Sequence, residues 1–408
     1  MLHVVGVSLL GAVWERCNDE SDLALRPYFT AAYNMDPDCL RGYRALGVQE
    51  IFAGVSFPTS FGSGRVTAMR PPISYDELGE HFEAAHGVGI RTSFLFNPAC
   101  SGAKEWTAAG AHEMTNVVRF VNRFEVDYIV VSNPFFVNLF RRLCPDTKIK
   151  ISTHYNVNTR AKFDLFLRDL PVDVVAVSQF ANKDFRLLQE VVEAYGGDRL
   201  EILCTVACMP ACPYRTWHST AIAHGQEMDI GFFQDDPSAY ANTFQPCRLE
   251  MASRPELLMR STFVRRQDLH WYQELGINRF KIGERLFTTE SNLACSTYYL
   301  TQAPTMPPEL AGMIFRGLVE RAHLEAMDGY YDRFVRGECD GTVCTDANCG
   351  HCRSFAKRVF ELRHGCADSV SPGFHAHFHS DHIDRLERLL RAFTYPDEAQ
   401  PAPRGSNG

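Results

Sequence analysis

The chain has 408 residues, of which 45% are hydrophobic and 22% are charged, a composition typical of a globular protein rather than a disordered or fibrous one. Forty-one basic and 49 acidic side chains give a net charge of -8, which argues against a broad surface for nucleic acid or anionic lipid. No apolar run approaches the roughly 18 residues that span a membrane, and MLHVVGVSLLGAVWE lacks a positive leader, so we expect a cytoplasmic protein.

Eight short runs of β-branched or aromatic residues predict strands along the chain. They begin at Leu2, Val48, Ile90, Val126, Lys148, Val172, Arg199 and Ile277. Helical segments lie between them, and the clearest opens with a capping box from Ser74 to Glu77 and ends at Gly87. Eight apolar strands alternating with helices favour an α/β fold, a (β/α)8 TIM-like barrel, over an open doubly wound sheet.

The spacing of the strands predicts the domain organisation. The seventh and eighth strands begin 78 residues apart, which indicates an insertion over residues 204–265 within a barrel over residues 1–305. Catalytic residues of such barrels lie at the C-terminal ends of the strands, so the insertion begins where an active site is expected. Residues 306–390 read as one or two helices followed by a Cys- and His-rich region, and residues 391–408 are predicted to be disordered.

Fourteen cysteines are many for a reducing compartment, and one group of them begins the insertion. Cys204, Cys208 and Cys212 are spaced by four, and Cys247 follows on its far side. Four thiolates could hold a 4Fe-4S cluster or a zinc ion, and four inert buried cysteines are the plain alternative. Because Cys204 belongs to the seventh strand, its side chain could point into packing, leaving the fourth position to Cys100 or to a non-cysteine group.

Four segments carry a resemblance to a known family. LEILCTVACMPACPYRTWHS, ANKDF at 181–185, QPC at 245–247 and DLHWYQELGINRFKIGER at 268–285 resemble the collagenase-like peptidase family U32. The resemblance implies a TIM-like barrel with an iron–sulfur cluster. It also implies, for several members, oxygen-independent hydroxylation of ubiquinone precursors, transfer RNA or ribosomal RNA, in some cases with prephenate as the oxygen donor.

The family cysteines can be assigned position by position. Cys208, Cys212 and Cys247 match them, whereas Cys204 falls where the family resemblance implies an aliphatic residue. Glu284 stands where the family usually has a glycine, directly before Arg285. This departure at the barrel mouth leaves the substrate open.

Polar residues follow several of the predicted strands and form the candidate catalytic set. His154 and His218 are candidates for general acid or base, although a lone histidine is more often structural. Arg215 and Arg285 would pair with the carboxylates of a prephenate-like donor. Other residues at or near strand ends are Asn97, Asn133, Tyr155, Asn156, Gln179 and Lys281.

A second group of cysteines lies in the C-terminal region. Cys339, Cys344, Cys349 and Cys352 follow the spacing C-x4-C-x4-C-x2-C in a polar loop, which is poor core material. We expect a second iron–sulfur cluster or a structural zinc there, and a redox-active or unligated set is the alternative.

The combined expectation is an iron–sulfur enzyme, most plausibly an oxygen-independent hydroxylase. The net charge favours a small-molecule substrate over nucleic acid, and a protein partner or a homo-oligomer stays open. A peptidase or other hydrolase with structural metal is the alternative, although neither HExxH nor G-x-S-x-G occurs. A third reading makes the protein a non-enzymatic, cluster-binding partner of another protein.

Overall fold

The computed structural model describes residues 26–55, 59, 61, 73–170, 172–224, 238–284, 287–301, 305–315, 317–341, 349–363 and 388. The chain divides into two units, Met1–Arg363 and His364–Gly408. Apart from residue 388 the second unit lies outside the described residues, so the elements given below belong to the first.

Eight parallel strands form a closed barrel. Neighbouring strands pair in chain order, and the eighth pairs back onto the first through Tyr28 and Arg279. The TIM-like (β/α)8 barrel predicted from the sequence is therefore confirmed. The strands are β1 Tyr28–Ala32, β2 Glu50–Ala53, β3 Arg91–Phe96, β4 Tyr128–Val131, β5 Lys148–Ile151, β6 Val174–Ala176, β7 Leu200–Leu203 and β8 Arg279–Ile282.

The position predicted for the first strand is wrong. The barrel closes through β1, whose residues pair with β2 on one side and β8 on the other, whereas the run from Leu2 lies outside the described residues. The sequence YFTAA of β1 is short and contains two alanines. Its β-forming signal is therefore weaker than that of the β-branched run LHVVGVSLL.

Helices follow the strands along the chain, and their starts are set by local capping. The predicted capping box is present: Ser74 Oγ accepts from the Glu77 amide at 3.2 Å, and Glu77 Oε2 accepts from the Ser74 amide at 2.7 Å. The helices as far as β8 are α1 Pro37–Leu46, α2 Tyr75–Gly87, α3 Ala108–Arg123, α4 Pro134–Leu143, α5 Arg160–Asp164, α6 Phe185–Tyr195, α7 Arg215–His224, α8 Ser238–Ser253, α9 Glu256–Met259 and α10 Leu269–Glu274.

The region after the barrel contains strands as well as helices. Its elements are α11 Thr289–Leu300, α12 Pro308–Ile314, β9 Val319–Ala322, α13 Asp332–Val335, α14 His351–Val359 and β10 Phe360–Leu362. β9 and β10 pair antiparallel. The segment predicted as one or two helices contains two short helices, α12 and α13, and between them the VERA stretch forms a strand with residues about 40 positions later.

A charged layer fills the lower interior of the barrel. Thr30, Ser93, Lys150 and Glu201 come from the odd-numbered strands, as expected for one layer of inward-facing side chains. Lys150 Nζ lies 2.9 Å from Glu201 Oε1 and 2.5 Å from Glu50 Oε1. Buried charges are tolerated when they are paired in this way.

An apolar layer lies above the charged one. Ala32, Phe52, Leu95 and Val130 form a buried cluster inside the barrel. The interior is thus a packed core, and the chemistry expected of a barrel belongs to the loops at the C-terminal ends of the strands. Among the described residues, no helix has both the length and the apolar character needed to cross a membrane.

Candidate functional site: a thiol-lined cavity

The loop between β7 and α7 carries two of the predicted cysteines and is held by a distant threonine. Thr262 Oγ1 accepts a hydrogen bond from the Cys208 amide at 3.3 Å, and its hydroxyl donates to the carbonyl of Val206. Ala211 adopts a left-handed conformation with φ of 47° between the two cysteines. The backbone around Cys208 is therefore fixed by a residue that follows α9.

Three of the predicted cysteines line one cavity of about 90 Å³. Cys208 and Cys212 reach it from the loop after β7, and Cys247 reaches it from α8. The remaining lining residues follow β5, β6 and β7 or belong to α7, so the cavity lies at the catalytic end of the barrel. They are Thr153, His154, Gln179, Phe180, Leu203, Val206, Met209, Arg215, His218, Ser219 and Ile222.

The thiols of Cys212 and Cys247 are in contact. A hydrogen bond with Cys247 lowers the pKa of Cys212; burial raises it, and the Tyr214 amide and the Arg215 guanidinium lower it further. Cys247 is 5% exposed. A lowered thiol pKa makes the thiolate, which is the metal-binding form of cysteine, easier to reach.

Cys204 is not among the side chains that line the cavity. Its thiol lies 3.6 Å from the carbonyl of Ile202, and burial raises its pKa well above the usual value. The charges of Cys295 and Glu201 raise the pKa of Cys204 further, and Cys204 in turn helps to raise the pKa of the buried Tyr272 and Tyr299. Of the four cysteines predicted to bind a cluster, the structure therefore brings together three.

The predicted polar residues His154, His218 and Arg215 lie at the partly exposed edge of the same cavity. Arg215 Nη2 donates to the carbonyl of Thr153 at 3.1 Å, and its guanidinium lies 5.7 Å from the ring centre of Phe180. The first residue of α7 is thereby joined to the loop that follows β5. An arginine held in this way presents its remaining N–H groups in a fixed direction.

The two cations predicted at strand eight are placed differently. Lys281 lies on β8, with Nζ 3.9 Å from the ring centre of Phe52, and its charge helps to lower the pKa of Glu201. Its side chain therefore belongs to the barrel interior and is not part of the cavity lining. Arg285 lies outside the described residues.

The C-terminal cysteines lie beside a buried lysine. Tyr330 Oη is 3.6 Å from Cys352 Sγ, and Arg333 Nη1 donates to Cys349 Sγ at 3.2 Å. The charges of Cys352 and Cys339 act on the ammonium group of Lys183. Burial lowers the pKa of Lys183 to about 8, although both thiols and Asp268 raise it. Cys344 lies outside the described residues.

Neither group of cysteines forms a complete ligand set for a single ion. In the described part of the chain, no three side chains of His, Cys, Asp or Glu are arranged so that they could hold one metal ion.

Several residues around the cysteines were not predicted as site residues. Asn182 and Lys183 belong to the ANKDF segment of the family resemblance. Both bind the segment that holds the Cys208 loop. Asn182 Nδ2 donates to the Thr262 carbonyl at 2.7 Å, and Lys183 Nζ donates to the Met259 carbonyl at 3.2 Å. The motif itself was the signal that could have identified them.

Comparison with known proteins was made by sequence and by structure. No family model matches the chain. An uncharacterized protease, MJ1657 of Methanocaldococcus jannaschii, is 26% identical over 236 residues, which make up 58% of this chain and 67% of the relative. Among solved structures, the U32 peptidase Mk0906 has 18% sequence identity and a TM-score of 0.45, covering 64% of this chain and 92% of that one. The chain is similar to both of these proteins.

A glycoside hydrolase is also similar to this chain. The GH113 β-mannanase AaManA of Alicyclobacillus acidocaldarius has 13% identity and a TM-score of 0.32, covering 48% of this chain and 82% of that one. At this identity the likeness concerns the fold alone.

Proposed function

We propose that the protein is a U32-type iron–sulfur enzyme that hydroxylates a small molecule, or less favourably an RNA, without molecular oxygen. The observation that carries this proposal is the cavity at the catalytic end of the barrel, where Cys208, Cys212 and Cys247 meet. The donor set fits a cluster, because three thiols line one cavity and cysteine thiolates are the ordinary ligands of iron–sulfur clusters. When bound, the cluster would supply one-electron transfer.

The polar edge of the cavity gives the other residues their proposed roles. Arg215 would pair with a carboxylate of a prephenate-like donor, as a guanidinium offers two parallel N–H groups. Arg285 remains its proposed second cation. His154 and His218 would hold and return the proton at the reacting oxygen, since imidazole titrates near neutral pH. In the net reaction the organic donor gives up a hydroxyl group and gains the hydrogen that leaves the substrate.

The test is analysis of protein purified without oxygen. We expect iron and acid-labile sulfide in the wild type, and incorporation of oxygen from an isotopically labelled hydroxylated donor into the product under argon. Absence of both iron and sulfide would overturn the cluster proposal. A loaded protein whose product takes its oxygen from labelled water would overturn the donor role instead.

A peptidase is the second candidate function, and the observation that favours it is the protease designation of the relative MJ1657. In that case the cysteines would hold zinc or only shape the insertion. Zinc without sulfide, together with peptide cleavage that survives Cys212→Ala, would support this alternative. If a homogeneous sample purified without oxygen cleaves no peptide, that result would count against a peptidase.

The C-terminal cysteines are proposed to hold a second metal, zinc or iron–sulfur, through Cys339, Cys344, Cys349 and Cys352. What supports this is the basic and phenolic groups beside the described sulfurs, namely Arg333 and Tyr330, because hydrogen-bond donors commonly surround bound thiolates. Cys349→Ala should lose the metal of the C-terminal site, so that the metal content per chain falls by one site. The barrel cluster should stay unchanged in this variant.

A further inference from the structure

Gln179 is a polar side chain of the thiol-lined cavity to which the proposed catalysis assigns no role. Gln179 follows β6, lines the cavity and is only 4% exposed. Within the described part of the chain, its Nε2 is buried and has no hydrogen-bond partner. Buried polar groups in folded proteins are nearly always hydrogen-bonded, so an amide left in this state indicates a missing acceptor.

The direction of the Gln179 side chain is set by its backbone. The Ser178 amide donates to the carbonyl of Val157 at 3.0 Å, and the Ala181 amide donates to the carbonyl of Ser178 at 2.8 Å. The Ser178 hydroxyl also donates to Asn156 Oδ1 at 2.5 Å. Gln179 therefore sits in a turn that is held on both sides and that places the residue in the cavity lining.

The character of the cavity limits what the acceptor can be. Its volume of about 90 Å³ is well below the roughly 300–1,000 Å³ of typical small-molecule sites. Much of its surface is apolar, including Leu203, Val206 and Ile222. His154, Arg215 and His218 are partly exposed, whereas Gln179 and Cys247 are buried. The interior is thus too small for an organic substrate and has room only for a compact group.

We infer that Gln179 Nε2 donates a hydrogen bond to a sulfur of the iron–sulfur cluster held by Cys208, Cys212 and Cys247. This inference rests on the proposed function, because it takes the cluster as the occupant of the cavity. It assigns Gln179 as a positioning and tuning residue that does not touch the substrate.

The expected consequence is a shift in the reduction potential of the cluster. Reduction adds negative charge to the cluster sulfurs, so a donor directed at them stabilises the reduced state more than the oxidised one. Removing the donor makes the potential more negative. Placing a carboxylate at the same point makes it more negative still, since the carboxylate repels the added electron.

The experiment uses the full-length protein purified without oxygen, with iron and sulfide counted per chain. Gln179→Met removes the donor at nearly constant volume, and Gln179→Glu replaces the amide by a carboxylate. Redox titration followed by electron paramagnetic resonance gives the potential of each loaded variant. We expect at least a tenfold fall in the reduced-to-oxidised ratio at fixed potential for Gln179→Met, which is about 59 mV for a one-electron couple.

Gln189→Met is the matched control. Gln189 lies on the exposed surface of α6, where it donates to Glu193 at 2.9 Å, and Gln189→Met should leave the potential unchanged. A wild-type reduction potential in cluster-loaded Gln179→Met or Gln179→Glu overturns the inference. Loss of the cluster from both variants, while Gln189→Met retains it, overturns the inference as well. A wild-type protein without iron and sulfide overturns the proposed function itself, which is a separate result.

Discussion

Lys150 and Glu201 face each other inside the barrel, with Nζ 2.9 Å from Oε1 and both side chains 1% exposed. Removing one charge from such a pair leaves the other buried without full compensation. We predict that Glu201→Gln lowers the free energy of unfolding by about 3–5 kcal/mol. Urea denaturation checks this, with Glu193→Gln on the exposed surface of α6 as the control. A loss no larger than that of the control would contradict the structural role of the pair.

The same carboxylate predicts how stability depends on pH. Burial alone would raise the pKa of Glu201, but Lys150, and then Lys281 and Arg279, lower it to about 2. Because the folded pKa is below the unfolded value of about 4.3, this stabilisation is complete above the unfolded pKa and is lost as the pH falls towards 2. The stability difference between wild type and Glu201→Gln should therefore shrink from pH 5 to pH 2. A constant difference would refute the assignment.

Thr262 is predicted to maintain the cysteine loop. Thr262→Val keeps the shape of the side chain but removes the acceptor of the Cys208 amide and the donor to Val206. We expect iron to be lost to a chelator several times faster than from the wild type. Thr301→Val is the control, since the Thr301 hydroxyl donates to the carbonyl of Thr297 at its own helix end, far along the chain from the cysteine loop. Equal rates of iron loss in the two variants would count against the role of Thr262.

Lys183 is predicted to be a structural cation. It is 3% exposed, and its ammonium donates to the carbonyls of Ser261 and Met259. Lys183→Met leaves Ser261 without that donor, while Met259 still accepts from Tyr330 Oη at 2.8 Å. An unsatisfied buried carbonyl costs about 1–3 kcal/mol, which denaturant unfolding can measure. Lys357→Met on the exposed face of α14 should cost far less; similar losses would show that Lys183 is not specially placed.

Most of the barrel could be predicted because its strands are near-continuous apolar runs. The exception is β1, a five-residue strand whose alanines carry little β signal. The charged layer was missed for a related reason: Lys150 in KIKI and Glu201 in LEIL look like interruptions of apolar strands until the pairing register shows that both face inward. A single charged residue within an otherwise apolar strand is the sequence signal for such a layer.

The cysteine site was predicted in part. The insertion after the seventh strand identified Cys208, Cys212 and Cys247, and the resemblance matched all three to family cysteines. Whether Cys204 points into the cavity depends on the alternation of side chains along β7, which only the register settles. Lys183 could not be found from spacing, because the carbonyls it binds follow it by 76 and 78 residues.

Iron and sulfide content of single cysteine variants tests the central claim most directly. The measurement compares Cys204→Ala, Cys208→Ala, Cys212→Ala and Cys247→Ala, each purified without oxygen and corrected for folded protein. The account predicts that the last three lose the barrel cluster, whereas Cys204→Ala keeps the wild-type content because its thiol packs outside the cavity. Retention of the full complement in Cys212→Ala, or its loss in Cys204→Ala alone, would contradict it.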